Sequence, residues 1–229
     1  MKNKNKETLE YGKSTFYSGD SGKEYFIRQM KNAELGAKLN VAKFQKWVGS
    51  EDRVLDFGCS GGWLLKELNP TLKVGVELNT LHHEYCENNG VTVYQEVTAV
   101  KESDFSRIIS HHCLEHVPYP VSALKSLAVL LKEDGYLILV VPVDDWRVQR
   151  DPRAKDNDHH LHTWTPLLMK NTLAESGFDL VESRILTHAW PRKWQSLYRA
   201  LPLPIFDTFC WGWSILTKRR QLLVVAKLK

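Results

Sequence analysis

The chain has 229 residues, 43% of them hydrophobic, with 31 Lys plus Arg against 27 Asp plus Glu. That is enough for one large domain with its own core, and it excludes a disordered, collagen-like or coiled-coil chain. A formal charge of +4 falls short of the basic stripe expected where phosphate contacts dominate, so the charge does not advertise nucleic acid. Cys59, Cys86, Cys113 and Cys210 form no C-x-x-C pair, which favours a reducing compartment. The charged start, Met1 to Glu7, has no apolar stretch behind it, unlike a secretory leader, and the longest apolar run, Tyr136 to Val143, is far below the roughly 20 residues of a membrane span. The expected location is the cytoplasm.

In chain order, residues 1 to about 20 are polar and glycine-bearing, and read as an arm. Lys23 to Val48 carries apolar residues at near-helical spacing, with a break expected at Gly36. The pattern divides the chain into an N-terminal arm and helical lid, 1–48, and a main domain, 49–229. Arg53 to Phe57 predicts a strand, Gly58 to Gly62 a glycine loop, and Trp63 to Leu68 a helix stopped by Asn69-Pro70. Strands follow at 73–76, 91–94, 107–110 and 136–141, with helices at 80–88 and 120–131 and a turn at Asp134-Gly135. Pro142 to His162 is a long polar loop rich in Asp, His and Arg. Thr165-Pro166 is an N-cap and first-turn pair for a helix that ends at Gly177. Strands at 178–186 and 222–228 close the chain, separated by a Trp-rich basic insertion, 188–220. Alternating strands and helices, with strands that are continuous apolar runs, predict an α/β fold with a mostly parallel sheet and helices on both faces.

The chemistry centres on Asp56-x-Gly58-x-Ser60-x-Gly62. Glycines after a first strand let a ligand approach the backbone, and an acid some 20 residues on, here Glu77, can accept hydrogen bonds from ribose hydroxyls. An NAD-dependent oxidoreductase is the competing reading, but the six-residue G-x-G-x-x-G spacing is not met. Val54 to Gly62, Gly75-Val-Glu77, Ile108 to His116, Asp134 to Pro142 and His160 to Phe178 together resemble the class I S-adenosylmethionine-dependent methyltransferases. The resemblance implies a Rossmann-like seven-stranded sheet with the last strand antiparallel. It also implies a cofactor, S-adenosylmethionine, leaving as S-adenosylhomocysteine, held by Asp56, Gly58, Cys59, Ser60, Gly62, Glu77, Leu78, Glu96 and His111.

Methyl transfer to oxygen or nitrogen needs a base, and histidines follow two strand ends: His111, His112 and His116, then His159, His160 and His162. His116 and His112 are the candidate bases. His112, Glu115 and His116 have i, i+3, i+4 spacing that shares a face if the turn is helical. The resemblance extends to relatives, among them quinone O-methyltransferases, that hold a metal at this place; a divalent ion here would involve His112, Glu115, His116 and His162. The alternative makes Glu115 and His116 structural. His82, His83 and His188 read as ordinary surface or strand-end histidines.

The insertion 188–220 holds Trp190, Trp194, Trp211 and Trp213 among basic residues, which suits a peripheral membrane contact or a lipid-bearing substrate. A self-burying cap or a dimer contact is the plainer alternative. The expected enzyme O-methylates a small molecule such as a sugar, glycan or lipid-linked saccharide, with Tyr11, Tyr17, Arg28, Trp146 and Arg147 as candidate acceptor contacts. An RNA-modifying methyltransferase and a non-catalytic nucleotide-binding scaffold are the alternatives.

Overall fold

Seven strands assemble in the order β3-β2-β1-β4-β5-β7-β6. They are β1 (Arg53–Phe57), β2 (Leu72–Val76), β3 (Thr92–Tyr94), β4 (Phe105–His111), β5 (Leu131–Val143), β6 (Phe178–Leu186) and β7 (Arg220–Leu228). The computed structural model describes residues 12, 14–143, 151–153, 156, 158–191 and 194–229. β1 to β5 pair in parallel, while β7 runs antiparallel to both neighbours, β5 and β6. This is the Rossmann-like seven-stranded sheet with an antiparallel last strand that the sequence leads one to expect.

The strand sequences show why both faces are covered. Leu137, Leu139 and Val141 of β5 and Leu222, Val224 and Ala226 of β7 enter one core cluster, and Ile138, Val140, Leu223 and Val225 enter the other. Successive side chains point to opposite faces, so an unbroken apolar run needs a helix layer on each side. One layer comprises α5 (Pro120–Leu130) and α6 (Pro166–Glu175), the other α3 (Trp63–Leu68) and α4 (His83–Asn88). Thr165 caps α6, its hydroxyl accepting from the Leu168 N–H at 3.2 Å.

Three local expectations change. The N-terminal helical stretch divides at Lys31-Asn32, between α1 (Gly19–Met30) and α2 (Ala33–Asn40), not at Gly36. Gly36 lies inside α2, where a Cβ would stand 3.4 Å from the Trp190 ring, an ordinary van der Waals contact. α1 also begins at Gly19, within the stretch expected to be an arm, after a tight 3-10 turn at Thr15–Tyr17. The predicted turn at Asp134-Gly135 becomes an excursion within β5: Leu131 pairs with Phe105 and Tyr136 with Arg107, leaving 132–135 outside the regular register.

The Trp-rich segment folds as α7 (Gln195–Ala200) and α8 (Leu203–Leu216). Phe206 and Cys210, one turn apart, bury against Leu39, with Trp190, Trp194, Leu197, Tyr198 and Leu201 packed around them. That small cluster fastens α7 and α8 to α2. Among the described residues, no helix is long and apolar enough to cross a membrane.

Candidate active site

The chain turns from one side of β1 to the other between β3 and β4, and ligands bind at such a reversal, outside the carboxyl ends of the strands. Three groups of side chains gather there.

The first is the glycine loop. After β1 the backbone swings back onto β2, with the Gly58 and Cys59 N–H groups donating to the Val76 carbonyl at 2.8 and 3.2 Å. Gly58 sits at φ +82, and a Cβ there would lie 2.4 Å from Cys113 Sγ, so loop and β4 end are in direct apposition. Ser60 adopts φ +49 in the same loop. Its N–H donates to Glu77 Oε2 at 2.9 Å, and Glu77 Oε1 accepts from the Asn79 N–H at 2.8 Å. Burial raises the Glu77 carboxyl above its usual range, opposed by those two backbone N–H groups. Asp56, 2% exposed, is pushed up to about 8 by burial and then by the neighbouring Glu77 charge.

Asp56 Oδ1 has no hydrogen-bond partner among the described residues. A buried carboxylate oxygen without a donor just before a glycine loop fits a ligand that brings a cationic amino group. Cys59 lies beneath the loop with its Sγ 3.7 Å from Cys86 Sγ. Leu78 and Glu96 are half-buried beyond the ends of β2 and β3, where the Gln95 amide donates to the Leu78 carbonyl at 3.3 Å.

His82 corrects an expectation. Rather than a surface residue it is 1% exposed, its Nδ1 3.3 Å from the Ser60 hydroxyl and its ring edge-on to Phe26 of α1. Burial lowers it to about 4, so it is neutral at pH 7. The Asn79 amide donates to the Gly22 carbonyl at 2.9 Å, so α1 is tied across the loop from two positions.

The second group lies at the end of β4. Leu114–His116 forms a 3-10 turn, and His112 precedes it at φ +53, so the helical face expected for His112, Glu115 and His116 does not form. His112 Nδ1 is nevertheless 3.6 Å from Glu115 Oε1. Fully buried Glu115 also faces His116 Nε2 at 3.7 Å. The donor atoms brought together are those of Glu115, His116 and His160, all within 4.8 Å of one another. His162 is not among them; its Nε2–H donates to the Val117 carbonyl at 2.9 Å.

Hydrogen bonds decide the His116 tautomer. The Tyr17 hydroxyl donates to the Asp158 carbonyl at 2.9 Å and stands 2.6 Å from His116 Nδ1, which is also 3.2 Å from the His159 carbonyl. Carbonyls only accept, so Nδ1 carries the proton and Nε2 is left with its lone pair. Burial lowers His116 to about 4, which keeps that lone pair free at neutral pH. Tyr17, from the turn before α1, is raised above its usual range, burial being the main cause. Phe16 stacks on His159 at 4.5 Å, and Arg28 approaches Asp158 at 3.7 Å. Tyr17 and Arg28 thus lie at this group, while Tyr11, Trp146 and Arg147 fall outside the described residues.

His111 belongs to a third group, with Lys43 Nζ 3.3 Å from its Nε2 and Phe44 beside its ring. Sequence reading did not single out Lys43. Burial draws it down to about 7, and it donates to Asn40 Oδ1 and Gln221 Oε1, both at 2.5 Å. A lone lysine in an amphipathic stretch carries no signal that β7 will supply its partner.

A sheet of this order, with a glycine loop and a strand-end acid at the reversal, is a Rossmann-like fold whose reversal forms a crevice suited to a nucleoside-bearing ligand. A methyltransferase-domain family model matches residues 26–183, and the chain belongs to that family, the class I S-adenosylmethionine-dependent methyltransferases. It is 30% identical over 103 residues to the ubiquinone biosynthesis O-methyltransferase of Haemophilus ducreyi, covering 38% of this chain and 44% of that protein. The match thus spans less than half the length of such curated relatives. Among solved structures it is similar to a SAM-dependent methyltransferase from Archaeoglobus fulgidus, with TM-score 0.60, 17% identity, and 89% and 99% of the two chains covered. A 1,6-didemethyltoxoflavin-N1-methyltransferase from Burkholderia thailandensis, bound to S-adenosylhomocysteine, has TM-score 0.60, 18% identity, and 92% and 86% covered.

Proposed function

We propose that the chain O-methylates a hydroxyl on an amphiphilic small molecule, a sugar, glycan or lipid-linked intermediate, with His116 as general base. The observation that carries this is His116 itself: a neutral imidazole at the end of β4 whose Nδ1–H is engaged and whose Nε2 is left to take a proton. Bound S-adenosylmethionine supplies an electrophilic methyl on a sulfonium. Gly58, Cys59, Ser60 and Gly62 would line its methionine side, Asp56 would receive the amino group, Glu77 the ribose, and Leu78 and Glu96 the adenine side. Tyr17 and the carbonyls of Asp158 and His159 orient the base, and a positioned base contributes typically 10²–10⁴-fold. The printed name of the Haemophilus ducreyi relative supports an oxygen acceptor and adds a quinone-type hydroxyl to the classes worth assaying.

A second reading is favoured by the grouping of Glu115, His116 and His160. One carboxylate and two imidazoles suit a first-row divalent ion, which would acidify the acceptor hydroxyl in place of the base.

The test is transfer of labelled methyl from S-adenosylmethionine to panels of quinols, free sugars and lipid-linked saccharides. His116→Ala is expected to lower kcat by about 10²–10⁴-fold with cofactor affinity held within about twofold. Unchanged turnover overturns the base assignment. Loss of wild-type turnover on chelation, restored by manganese or zinc, selects the metal reading instead.

A further inference from the structure

α8 has two unlike sides. Phe206, Cys210 and Ser214 are buried, while Leu203, Ile205, Phe209, Trp211, Ile215 and Leu216 are 41% to 80% exposed. The single acid of the helix, Asp207, turns to His188 at 3.3 Å, and no other charge interrupts the apolar side. A groove of about 660 Å³ runs along it between Trp194 and the Ile205, Phe209 and Leu216 side chains, opened at Gly212, where nothing stands within 4 Å of a Cβ position. Beyond the helix end come Lys218 and Arg219, both exposed, and Arg220, whose guanidinium donates to the Ser214 carbonyl at 2.5 Å.

Charge says what this side meets. Of the basic side chains in 188–220, Lys218 and Arg219 stand exposed just past the end of α8, while Asp207, the one acid of the segment, is taken up by His188. An apolar side edged by tryptophans and cations complements an anionic bilayer surface. The helix, 14 residues and so about 21 Å, is too short to cross a hydrocarbon core of roughly 30 Å, and lying in the interface is the arrangement its length permits.

We propose that α8 docks the enzyme peripherally onto an anionic lipid surface, its exposed apolar side entering the headgroup boundary and Lys218 and Arg219 meeting the anionic headgroups. The inference deepens the acceptor class proposed above and rests on that reading, since docking gives the site access to a hydroxyl carried on a membrane-borne molecule.

The experiment is co-sedimentation of the full chain with vesicles of phosphatidylcholine alone and of phosphatidylcholine with added phosphatidylglycerol, alongside tryptophan fluorescence. The wild type is expected on the anionic vesicles, with a blue-shifted emission and a loss of binding as salt is raised. Lys218→Ala with Arg219→Ala weakens that binding about tenfold or more, and Phe209→Ser with Leu216→Ser abolishes the blue shift. Calorimetric titration of each variant with S-adenosylmethionine is expected to match the wild type, which keeps a folding defect apart from a docking defect. Protein remaining in the supernatant with both vesicle types overturns the proposal. So does a dimer that Leu216→Ser converts to monomer in a chain that binds no vesicles. Turnover of a detergent-dispersed acceptor without vesicle binding overturns docking alone, and docking without any methyl transfer overturns the acceptor reading alone.

Discussion

Asp56 and Glu77 form a carboxylate pair held in tension by burial. Glu77 is satisfied by the Ser60 and Asn79 N–H groups, whereas Asp56 Oδ1 has no donor and its carboxyl is drawn up to about 8. The proposed contact with the cofactor's amino group therefore has a proton signature. Below pH 8 the free protein carries a proton on Asp56, and an ammonium beside it favours the ionised form. S-adenosylmethionine binding at pH 7 is expected to release about one proton and to tighten from pH 6 to about pH 8, by linkage. Calorimetry in buffers of different ionisation heat measures this, and Asp56→Asn should abolish the release. Glu77→Ala should weaken binding about 10- to 100-fold, the worth of hydrogen bonds to a charged group, and an unchanged affinity would remove it from the ribose role.

Among the elements, the glycine loop is the least tolerant. Gly58 and Gly177 have nearly the same left-handed backbone, φ +82 and φ +89, but a Cβ on Gly58 meets Cys113 Sγ at 2.4 Å while one on Gly177 meets nothing within 4 Å. Gly177→Ala should therefore cost only the backbone strain, about 1–2 kcal/mol, and leave cofactor binding unchanged. Gly58→Ala adds overpacking of about 1–3 kcal/mol and displaces the loop, so it should melt at lower temperature and lose affinity. Equal melting temperatures for the two variants would mean that the loop and the β4 end are not in contact. The short strand–loop–helix elements were legible because their punctuation is local: Arg53–Phe57, Trp63–Leu68 and Phe178–Leu186 have the predicted bounds. The break in the N-terminal helices was not: it falls at Lys31-Asn32, and Gly36 continues inside α2.

Across the whole molecule, Lys43 joins distant parts: α2 contributes Asn40, β4 contributes His111, and β7 contributes Gln221. Burial lowers it to about 7 in the folded chain, against 10.5 ordinarily. Between those values the unfolded chain binds the proton and the folded chain does not, so this lysine's contribution to stability rises with pH over that window. Lys43→Met removes the titration. Its melting temperature relative to wild type should be highest near pH 6 and decline steadily toward pH 10, whatever constant offset the lost hydrogen bonds impose. A flat difference across that series would show that Lys43 stays charged in the fold.

Short-range information was sufficient for the strands and helices of the sheet and for the glycine loop and its acid, because apolar period, glycine placement and strand-end acids are all written within a few residues of one another; the methyltransferase family came from the resemblance of five such segments taken in order along the chain. Tertiary structure alone decided the rest. It replaced His162 by His160 beside Glu115, because the returning loop hangs its Leu161 and His162 N–H groups on the Glu115 carbonyl and so aims each side chain. It set the His116 tautomer through Tyr17, 99 residues away in sequence. It buried His82 under α1, drew Lys43 against β7, and left one side of α8 uncovered. Each of these depends on which segments meet in space, and the partner in every case lies outside the local window in which hydrophobic period and turn chemistry act.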